Sequence, residues 1–245
     1  MKKTTWLLLI GLLLIGIVVP GCSSGTAKLS VATDATWPPF EYVNTDNKEI
    51  EGFDIDVMTA IAEKADLDIE FVNVGWDPLL AGMAQGTYDL AISSITITED
   101  RKKDMLFSDP YFAAGQMVVV AKDNTSITSH EDVAGVVGAQ LGTTGAFEIE
   151  KIAAATLKTY DDIGLAFQDL MNGQIVAIVC DNPLALDYVK AHPDELKTVG
   201  EAFTDEDYGI AIAKGNEDLI APINAAIAAL KAEGKFEELT KKWLE

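Results

Sequence analysis

A row of hydroxyl side chains ends in an arginine near the middle of this chain. Ser93, Ser94 and Thr96 close an apolar, strand-like run, and Arg101 follows shortly after. Small hydroxyl donors beside a planar guanidinium suit a carboxylate, so this spacing predicts an anion-binding site. The same residues fit a capped helix start, with Thr98 as N-cap and the arginine on a solvated face. Both interpretations fit the segment taken alone.

Carboxylates stand at the ends of two other strand-like runs. Asp34 follows the run 29–33, and Asp181 follows the run 175–180. Ligands of open α/β sheets bind outside the carboxyl ends of the strands. The turn GTTG at 142–145 opens a helix whose free N–H groups favour a carboxylate. A small molecule that carries both a carboxylate and an ammonium group would satisfy this set.

The elements that must position these groups alternate between strands and helices. This order predicts an α/β protein with mainly parallel sheets, because helices then connect neighbouring strands. Apolar residues recur at helical spacing over 53–65, whereas the strand signals are short apolar runs. We expect strands at 29–33, 69–74, 88–93, 116–121, 136–140, 175–180 and 208–213, and helices at 53–65, 78–85, 146–155, 163–171, 218–233 and 235–244.

The first 22 residues have the layout of a secretory leader. Two lysines precede an apolar run of about 14 residues, which is shorter than a membrane span, and Pro-Gly-Cys ends it. A cysteine at this point resembles a bacterial lipobox. The resemblance implies a signal peptide over 1–21, lipidation of Cys22 and a polar tether over 22–28. The alternative is an ordinary signal peptide with an incidental cysteine.

The composition of the chain limits the classes of binding partner that we expect. The chain has 18 Lys and Arg against 39 Asp and Glu, a net charge of −21 that becomes −23 without the two leader lysines. So acidic a surface repels nucleic acid and anionic membranes, and neither is an expected partner. With Cys22 lipidated, Cys180 has no disulfide partner and is expected to be a small buried hydrophobe. The two histidines form no metal-ligand or catalytic-triad pattern, so we expect no metal and no cofactor.

Seven motifs occur along the chain in a recognisable order. They are VATDATWPPFEY at 31–42, GFDID at 52–56, YDLAISSITITEDR at 88–101, FSDPY at 107–111, LGTTG at 141–145, DYGI at 207–210 and KKWL at 241–244. In these motifs the chain closely resembles the polar amino-acid-binding proteins of ABC importers, solute-binding protein family 3, of the lipoprotein type. The resemblance covers nearly all of the chain after the leader.

The resemblance implies a two-lobed periplasmic-binding-protein fold of type II, with a mainly parallel sheet flanked by helices in each lobe. Lobe one would comprise 29–110 and 209–245, and lobe two 116–203. Hinges would lie near 111–115 and 204–208. A monomer of this kind would close around an L-amino acid outside the cytoplasm and deliver it to an ABC permease, with the lipid anchor as its one membrane contact.

The resemblance also implies roles for individual residues. The ligand carboxylate would bind Arg101, Thr96 and N–H groups near Thr144. The α-ammonium would bind Asp181, the carbonyl of Ser94 and the hydroxyl of Thr96. The ligand side chain would face Asp34, Trp37, Trp76 and Gln140. Asp54 and Asp56 are expected as helix-start carboxylates and not as ligand contacts.

The expected side-chain contacts rank the ligands. Asp34 between two tryptophans suits a guanidinium, which stacks on aromatic faces and forms bidentate bonds with a carboxylate. A carboxamide also fits, because Asp34 accepts an amide N–H and Gln140 bonds an amide carbonyl. We expect arginine first, then glutamine, then lysine or histidine, and acidic ligands last. The alternatives are that Trp37 and Trp76 are ordinary core residues and that Asp34 caps a turn.

An enzyme is the alternative from another class, since a dehydratase acting on prephenate or arogenate can share this fold. Such an enzyme needs a carboxylic acid that stays protonated in a dry pocket. Arg101 together with Asp181 fits an intact zwitterion better, so we expect a binding protein without catalytic activity.

Overall fold

The computed structural model describes residues 28–245. The expectations for the leader and for Cys22 lie outside the described residues. No helix within residues 28–245 is long and apolar enough to cross a membrane.

The described chain contains fifteen strands and seven α-helices. The strands are β1 (Leu29–Thr33), β2 (Thr36–Trp37), β3 (Glu41–Val43), β4 (Ile50–Glu51), β5 (Ile69–Asn73), β6 (Leu90–Ala91), β7 (Leu106–Phe107), β8 (Phe112–Ala114), β9 (Gln116–Ala121), β10 (Gly135–Gln140), β11 (Ala155–Tyr160), β12 (Ala177–Asp181), β13 (Leu196–Val199), β14 (Glu206–Tyr208) and β15 (Ala211–Ile212). The helices are α1 (Phe53–Ala65), α2 (Trp76–Gln85), α3 (Thr144–Glu150), α4 (Ile163–Met171), α5 (Asn182–Ala191), α6 (Ile220–Ala232) and α7 (Lys235–Trp243).

Two five-stranded sheets form two lobes. The first sheet has the order β5-β1-β6-β15-β7, and the second has the order β11-β10-β12-β9-β13. In each sheet three strands pair in parallel, and the strand nearest the crossing between lobes is antiparallel to both its neighbours. The α/β class and the two-lobed architecture are confirmed, and each sheet gains antiparallel pairs from the strand that enters or leaves it.

The chain passes between the sheets twice. One crossing contains β8 and the other contains β14, and these two strands pair antiparallel outside both sheets. The aromatic rings of Phe40, Phe112 and Tyr208 pack beside this ribbon with centroids 5.0 to 5.7 Å apart. The same apolar cluster contains buried residues of both lobes, among them Val31 and Phe167. The ribbon is therefore packed into a core that both lobes share.

Three expected elements differ from the structure. The helix expected at 146–155 ends at Glu150, and Ala155 begins β11 instead. All six residues of β11 pair with β10, so sheet pairing overrides the helix propensity of the alanine run. The strand expected at 88–93 is reduced to β6. The strand expected at 208–213 is divided at Gly209, where a Cβ would lie 2.8 Å from the Ile97 side chain.

Candidate functional site

A cavity lies between the two lobes. The nine residues expected at a ligand site all line it: Asp34, Trp37, Trp76, Ser94, Thr96, Arg101, Gln140, Thr144 and Asp181. The cavity is also lined by Glu41, Ser93 and Thr143. The sequence had indicated no contact between these three residues and a ligand side chain. Polar residues that end or closely follow β1, β6, β10 and β12 thus converge on one place, as the positions at strand ends predicted.

Arg101 combines the two interpretations that its segment allowed. It begins a short 3₁₀ turn, and its backbone N–H donates to Thr98 Oγ1 at 3.1 Å. Its guanidinium enters the cavity, where Nη1 donates to Thr96 O at 2.8 Å and Nη2 donates to Gly142 O at 3.2 Å. The guanidinium carbon lies 5.1 Å from the centre of the Trp76 ring. Desolvation lowers the pKa of Arg101, and the charges of neighbouring acidic residues oppose this shift.

Asp181 approaches the same cavity from the second sheet. It is the last residue of β12 and is 4% exposed. Gln116 Nε2 donates to its Oδ1 at 2.5 Å, and the hydroxyl of Tyr208 donates to its Oδ2. Burial raises the pKa of Asp181 to about 6, and the charge of Glu206 adds to the shift. Among the described residues Arg101 forms no ion pair with Asp181, so a cation and an anion line the same cavity without contacting each other.

The other end of the cavity is built around Asp34. Its Oδ1 accepts from Thr36 Oγ1 at 3.0 Å and its Oδ2 accepts from Gln140 Nε2 at 3.0 Å. Burial raises the pKa of Asp34, while these hydrogen bonds oppose the shift. Trp37 and Trp76 are each 7% exposed, and neither indole N–H has a partner among the described residues. An acceptor, an amide and two aromatic faces therefore surround this end.

Two of these hydrogen bonds join the lobes across the cavity. Gln140 ends β10 of the second sheet and donates to Asp34, which follows β1 of the first. Arg101 belongs to the first lobe and donates to the carbonyl of Gly142 in the second. The lobes are thus in contact around the cavity, which corresponds to a closed conformation.

Glu206 connects the ribbon of β8 and β14 to the site. Its Oε2 accepts from Thr96 Oγ1 at 2.7 Å and from Thr144 Oγ1 at 2.9 Å, and its Oε1 accepts from Thr204 Oγ1 at 3.0 Å. The two threonines that were expected at the ligand therefore direct their hydroxyls to a carboxylate of β14. Sequence reasoning missed Glu206, because it stands in the acidic run DED at 205–207, which has no motif character.

The turn before α3 depends on two glycines. Gly142 has φ +72°, a left-handed conformation that glycine adopts without strain. A Cβ on Gly145 would lie 2.6 Å from the carbonyl oxygen of Val179, so only glycine allows α3 to pack this closely on β12. Thr143 caps the helix by accepting from the Ala146 N–H at 3.3 Å. The turn thereby holds the Gly142 carbonyl against Arg101.

Two buried carboxyl groups lie below the Asp34 end of the cavity. Glu41 is fully buried and accepts from Ser93 Oγ at 3.0 Å. Asp54 is fully buried in the first turn of α1 and accepts from the backbone N–H of Ser94 at 2.7 Å and from the Tyr111 hydroxyl at 2.8 Å. Asp54 does not line the cavity. Its neighbour along the helix, Asp56, instead meets Lys242 at the surface at 2.7 Å.

Comparison with known proteins decides the family. The model of the bacterial extracellular solute-binding proteins, family 3, matches residues 29–245. The chain belongs to this family. It is 35% identical over 218 residues to the L-cystine-binding protein TcyJ of Escherichia coli. The matched region covers 88% of this chain and 82% of the relative.

Two solved structures of ancestral family members are also similar. A structure described as an ancestral arginine-binding protein bound to arginine is 43% identical, with a TM-score of 0.84, over 89% of this chain and 98% of the other. A structure described as an ancestral arginine-binding protein bound to glutamine is 44% identical, with a TM-score of 0.83, over 88% and 97%. Within residues 28–245 no group of three or more His, Cys, Asp or Glu side chains is arranged to hold a metal ion.

Proposed function

We propose that this solute-binding protein captures an L-amino acid between its lobes and presents it to the permease of an ABC importer. The observation that carries the proposal is the placement of Arg101 and Asp181, which line one cavity from opposite lobes without contacting each other. An amino acid carries a carboxylate and an ammonium group on adjacent carbons. Such a molecule would join the two side chains and thereby the two lobes.

The main-chain groups of the ligand meet different residues in this proposal. Arg101 uses the donors that it does not spend on Thr96 and Gly142 to bind the ligand carboxylate. Asp181 and the carbonyl of Ser94 accept from the α-ammonium. Thr96 and Thr144 complete the shell, with their hydroxyls oriented by Glu206.

The side chain of the ligand extends toward Asp34, Trp37, Trp76 and Gln140. We propose arginine as the preferred ligand, then glutamine, and then lysine or histidine. Asp34 has acceptor positions left after its bonds with Thr36 and Gln140, because a carboxylate has about four lone-pair sites. Glu41 adds a second carboxyl group to this end. The similar structures bound to arginine and to glutamine support both leading candidates.

Closure follows from differential affinity. The segments 111–115 and 204–208 contain the paired strands β8 and β14 and would serve as hinges between lobe one (29–110 and 209–245) and lobe two (116–203). A ligand that contacts both lobes binds the closed form more tightly than the open form and so shifts the population toward closure. The permease would recognise the closed form. The protein would act as a monomer outside the cytoplasm, anchored through lipid on Cys22.

The experiment is a thermal-melting screen with each of the twenty L-amino acids, followed by calorimetry on the best ligands. Binding to the folded state raises the melting temperature, and the shift grows with the logarithm of the ratio of ligand concentration to dissociation constant. We expect the largest shift with arginine, a clear shift with glutamine and little with aspartate or glutamate. Tightest binding of an acidic or aliphatic amino acid would contradict the ranking. Incubation with prephenate or arogenate should leave the ultraviolet spectrum unchanged, and an aromatic product would show that the protein is an enzyme.

A further inference from the structure

Glu41 and Asp54 lie together in the protein interior, where no basic side chain of residues 28–245 forms an ion pair with either of them. Both side chains are 0% exposed, and their carboxyl groups lie within hydrogen-bonding reach of each other. Oxygen Oε2 of Glu41 and oxygen Oδ1 of Asp54 have no hydrogen-bond donor among the described residues. When both carboxyl groups are ionised, these two buried oxygens can only accept hydrogen bonds, and neither has a donor. A proton on either carboxyl group would serve as the donor between them.

The backbone enforces this proximity. The Asp54 N–H donates to the carbonyl of Phe40 at 2.9 Å, which places the first turn of α1 directly against the residue before Glu41. Gly52 allows the approach, because a Cβ there would lie 2.1 Å from the Phe40 oxygen. To move the two carboxyl groups apart, the backbone would have to break the hydrogen bond between Asp54 and Phe40.

The groups that face the pair do not neutralise it. Ser93 donates to Glu41, while Tyr111 and the Ser94 N–H donate to Asp54. The charge of Asp34 also acts on Glu41, and because it is negative it raises the pKa of Glu41 further. Within residues 28–245 neither member of the pair forms an ion pair with a lysine, arginine or histidine.

Two adjacent carboxyl groups in such surroundings do not both ionise, since burial disfavours the charged form of each and an ionised Asp54 disfavours the ionisation of Glu41. A protonated Glu41 that donates to Asp54 instead favours the ionised form of Asp54. Burial raises the pKa of Glu41 well above its ordinary value, and the charge of Asp54 raises it further. Burial also raises the pKa of Asp54, to about 6. One proton therefore stays on the pair at neutral pH.

We propose that Glu41 and Asp54 share one proton, and that a cationic ligand side chain expels it. The shared proton is inferred from the buried pair alone, whereas its expulsion by a ligand rests on the proposed function. Glu41 lines the cavity at the end where Asp34 faces the ligand side chain. A guanidinium or ammonium group placed there supplies the positive charge that the ionised pair lacks.

The O–H bond of the shared acid breaks, and its electron pair stays on the carboxylate oxygen. The proton leaves through the cavity to the buffer, and the charge of the pair changes from −1 to −2. A neutral carboxamide supplies no positive charge, so glutamine binds with the proton still in place. The pair thus makes the preference between cationic and neutral ligands depend on pH, with the cationic ligand favoured as the pH rises.

Proton release is measured by titration calorimetry at neutral pH in buffers that differ in ionisation enthalpy. We expect L-arginine to release close to one proton per molecule bound and L-glutamine to release none. Glu41→Gln and Asp54→Asn should each abolish the release. Glu51→Gln is the matched control, because Glu51 lies on the same hairpin and bonds only Tyr42 and Asn44. Arginine binding without proton release in the wild type would overturn the expulsion and leave the proposed function standing.

Infrared spectroscopy tests the shared proton without a ligand. The wild-type protein at neutral pH should show the carbonyl stretch of a buried protonated carboxyl, and this band should be lost in Glu41→Gln and in Asp54→Asn but kept in Glu51→Gln. Absence of the band from the wild type would overturn the proposal whatever ligand binds. Failure of arginine to bind would contradict the proposed ligand, while the band would still decide whether the pair holds a proton. Either substitution suffices for the assignment if the other variant does not fold.

Discussion

Replacement of Arg101 by alanine is the most direct test of the amino-acid clamp. The guanidinium donates to Thr96 O and Gly142 O, and its other N–H groups remain for the ligand carboxylate. Alanine removes the cation and also removes one of the two hydrogen bonds that join the lobes across the cavity. Both losses weaken the complex, because binding and closure are coupled.

The expected magnitude follows from the hydrogen bonds lost. A hydrogen bond to a charged group contributes about 1.5 to 3 kcal/mol, and a carboxylate can take two from one guanidinium. Removing one partner of a buried charge pair costs about 3 to 5 kcal/mol. At about 1.4 kcal/mol for each factor of ten, the dissociation constant should rise roughly 140-fold to 3,700-fold.

The assay is titration calorimetry with arginine and glutamine on the wild type and on two variants. Lys102→Ala is the matched control, since it removes the same charge from the adjacent residue, which is exposed and pairs with Glu99 at the surface. We expect the control to bind within about twofold of the wild type, because surface ion pairs contribute little. If Arg101→Ala bound its ligands within tenfold of the wild type, the carboxylate would have to bind elsewhere and the clamp would be wrong.

Four further outcomes are expected. Asp181→Asn should weaken L-amino acids strongly in calorimetry but spare analogues that lack the α-amino group, and equal weakening of both would contradict its role. Burial raises the pKa of Asp181 to about 6, and only the ionised form pairs with an ammonium group, so ligand affinity should fall as the pH drops through about 6. The same raised pKa stabilises the folded protein below the ordinary value of 3.8, and this contribution should be lost as the pH rises through about 6. Thermal melts of the wild type and of Asp181→Asn would show the loss. X-ray scattering should show a smaller radius of gyration with ligand than without, whereas an unchanged radius would count against hinge closure. Cys180→Ser should leave affinity nearly unchanged, since Cys180 is 2% exposed and burial raises the pKa of its thiol; a large loss would place it at the site.

The residues that line the cavity could be found from the sequence because they sit at strand ends. Asp34 and Asp181 each follow a buried run, and parallel strands bring their carboxyl ends to one edge of a sheet. The family motifs then indicated which polar residues belong together across the two lobes. The roles of these residues remain predictions, but their convergence on one cavity is a finding of the structure.

The elements were less predictable where tertiary contacts decide them. The first sheet uses strands of two residues at β6, β7 and β15, which are too short to give an alternating pattern. In these strands the partner strands and the packing determine the structure, and propensity contributes little. The helix α5 was missed for another reason: it follows Asp181 without a loop, although Pro183 in its first turn is a helix-start signal.

The buried acid pair illustrates a second limit. Glu41 and Asp54 belong to different motifs, and only the packing of α1 on the segment before β3 brings them together. One sequence signal existed. The glycine of GFDID stands immediately before a helix, where Ser, Thr, Asp or Asn is the usual cap, and its φ of +141° with the close approach to Phe40 explains why no side chain is present.

The cross-cavity hydrogen bonds bear on how ligands are distinguished. The bond from Gln140 to Asp34 joins the lobes at the side-chain end, and the bond from Arg101 to Gly142 joins them at the main-chain end. A ligand with main-chain groups alone strengthens only the second contact, so every amino acid gains that part of the affinity. In the proposed function, the protein would then discriminate between amino acids at Asp34 and Glu41, which face the ligand side chain. The end of that side chain is positively charged in a guanidinium and neutral in a carboxamide. Under the same proposal, selectivity would therefore depend on the protonation of the carboxyl groups at the Asp34 and Glu41 end of the cavity, whereas closure would depend on contacts that every amino acid shares.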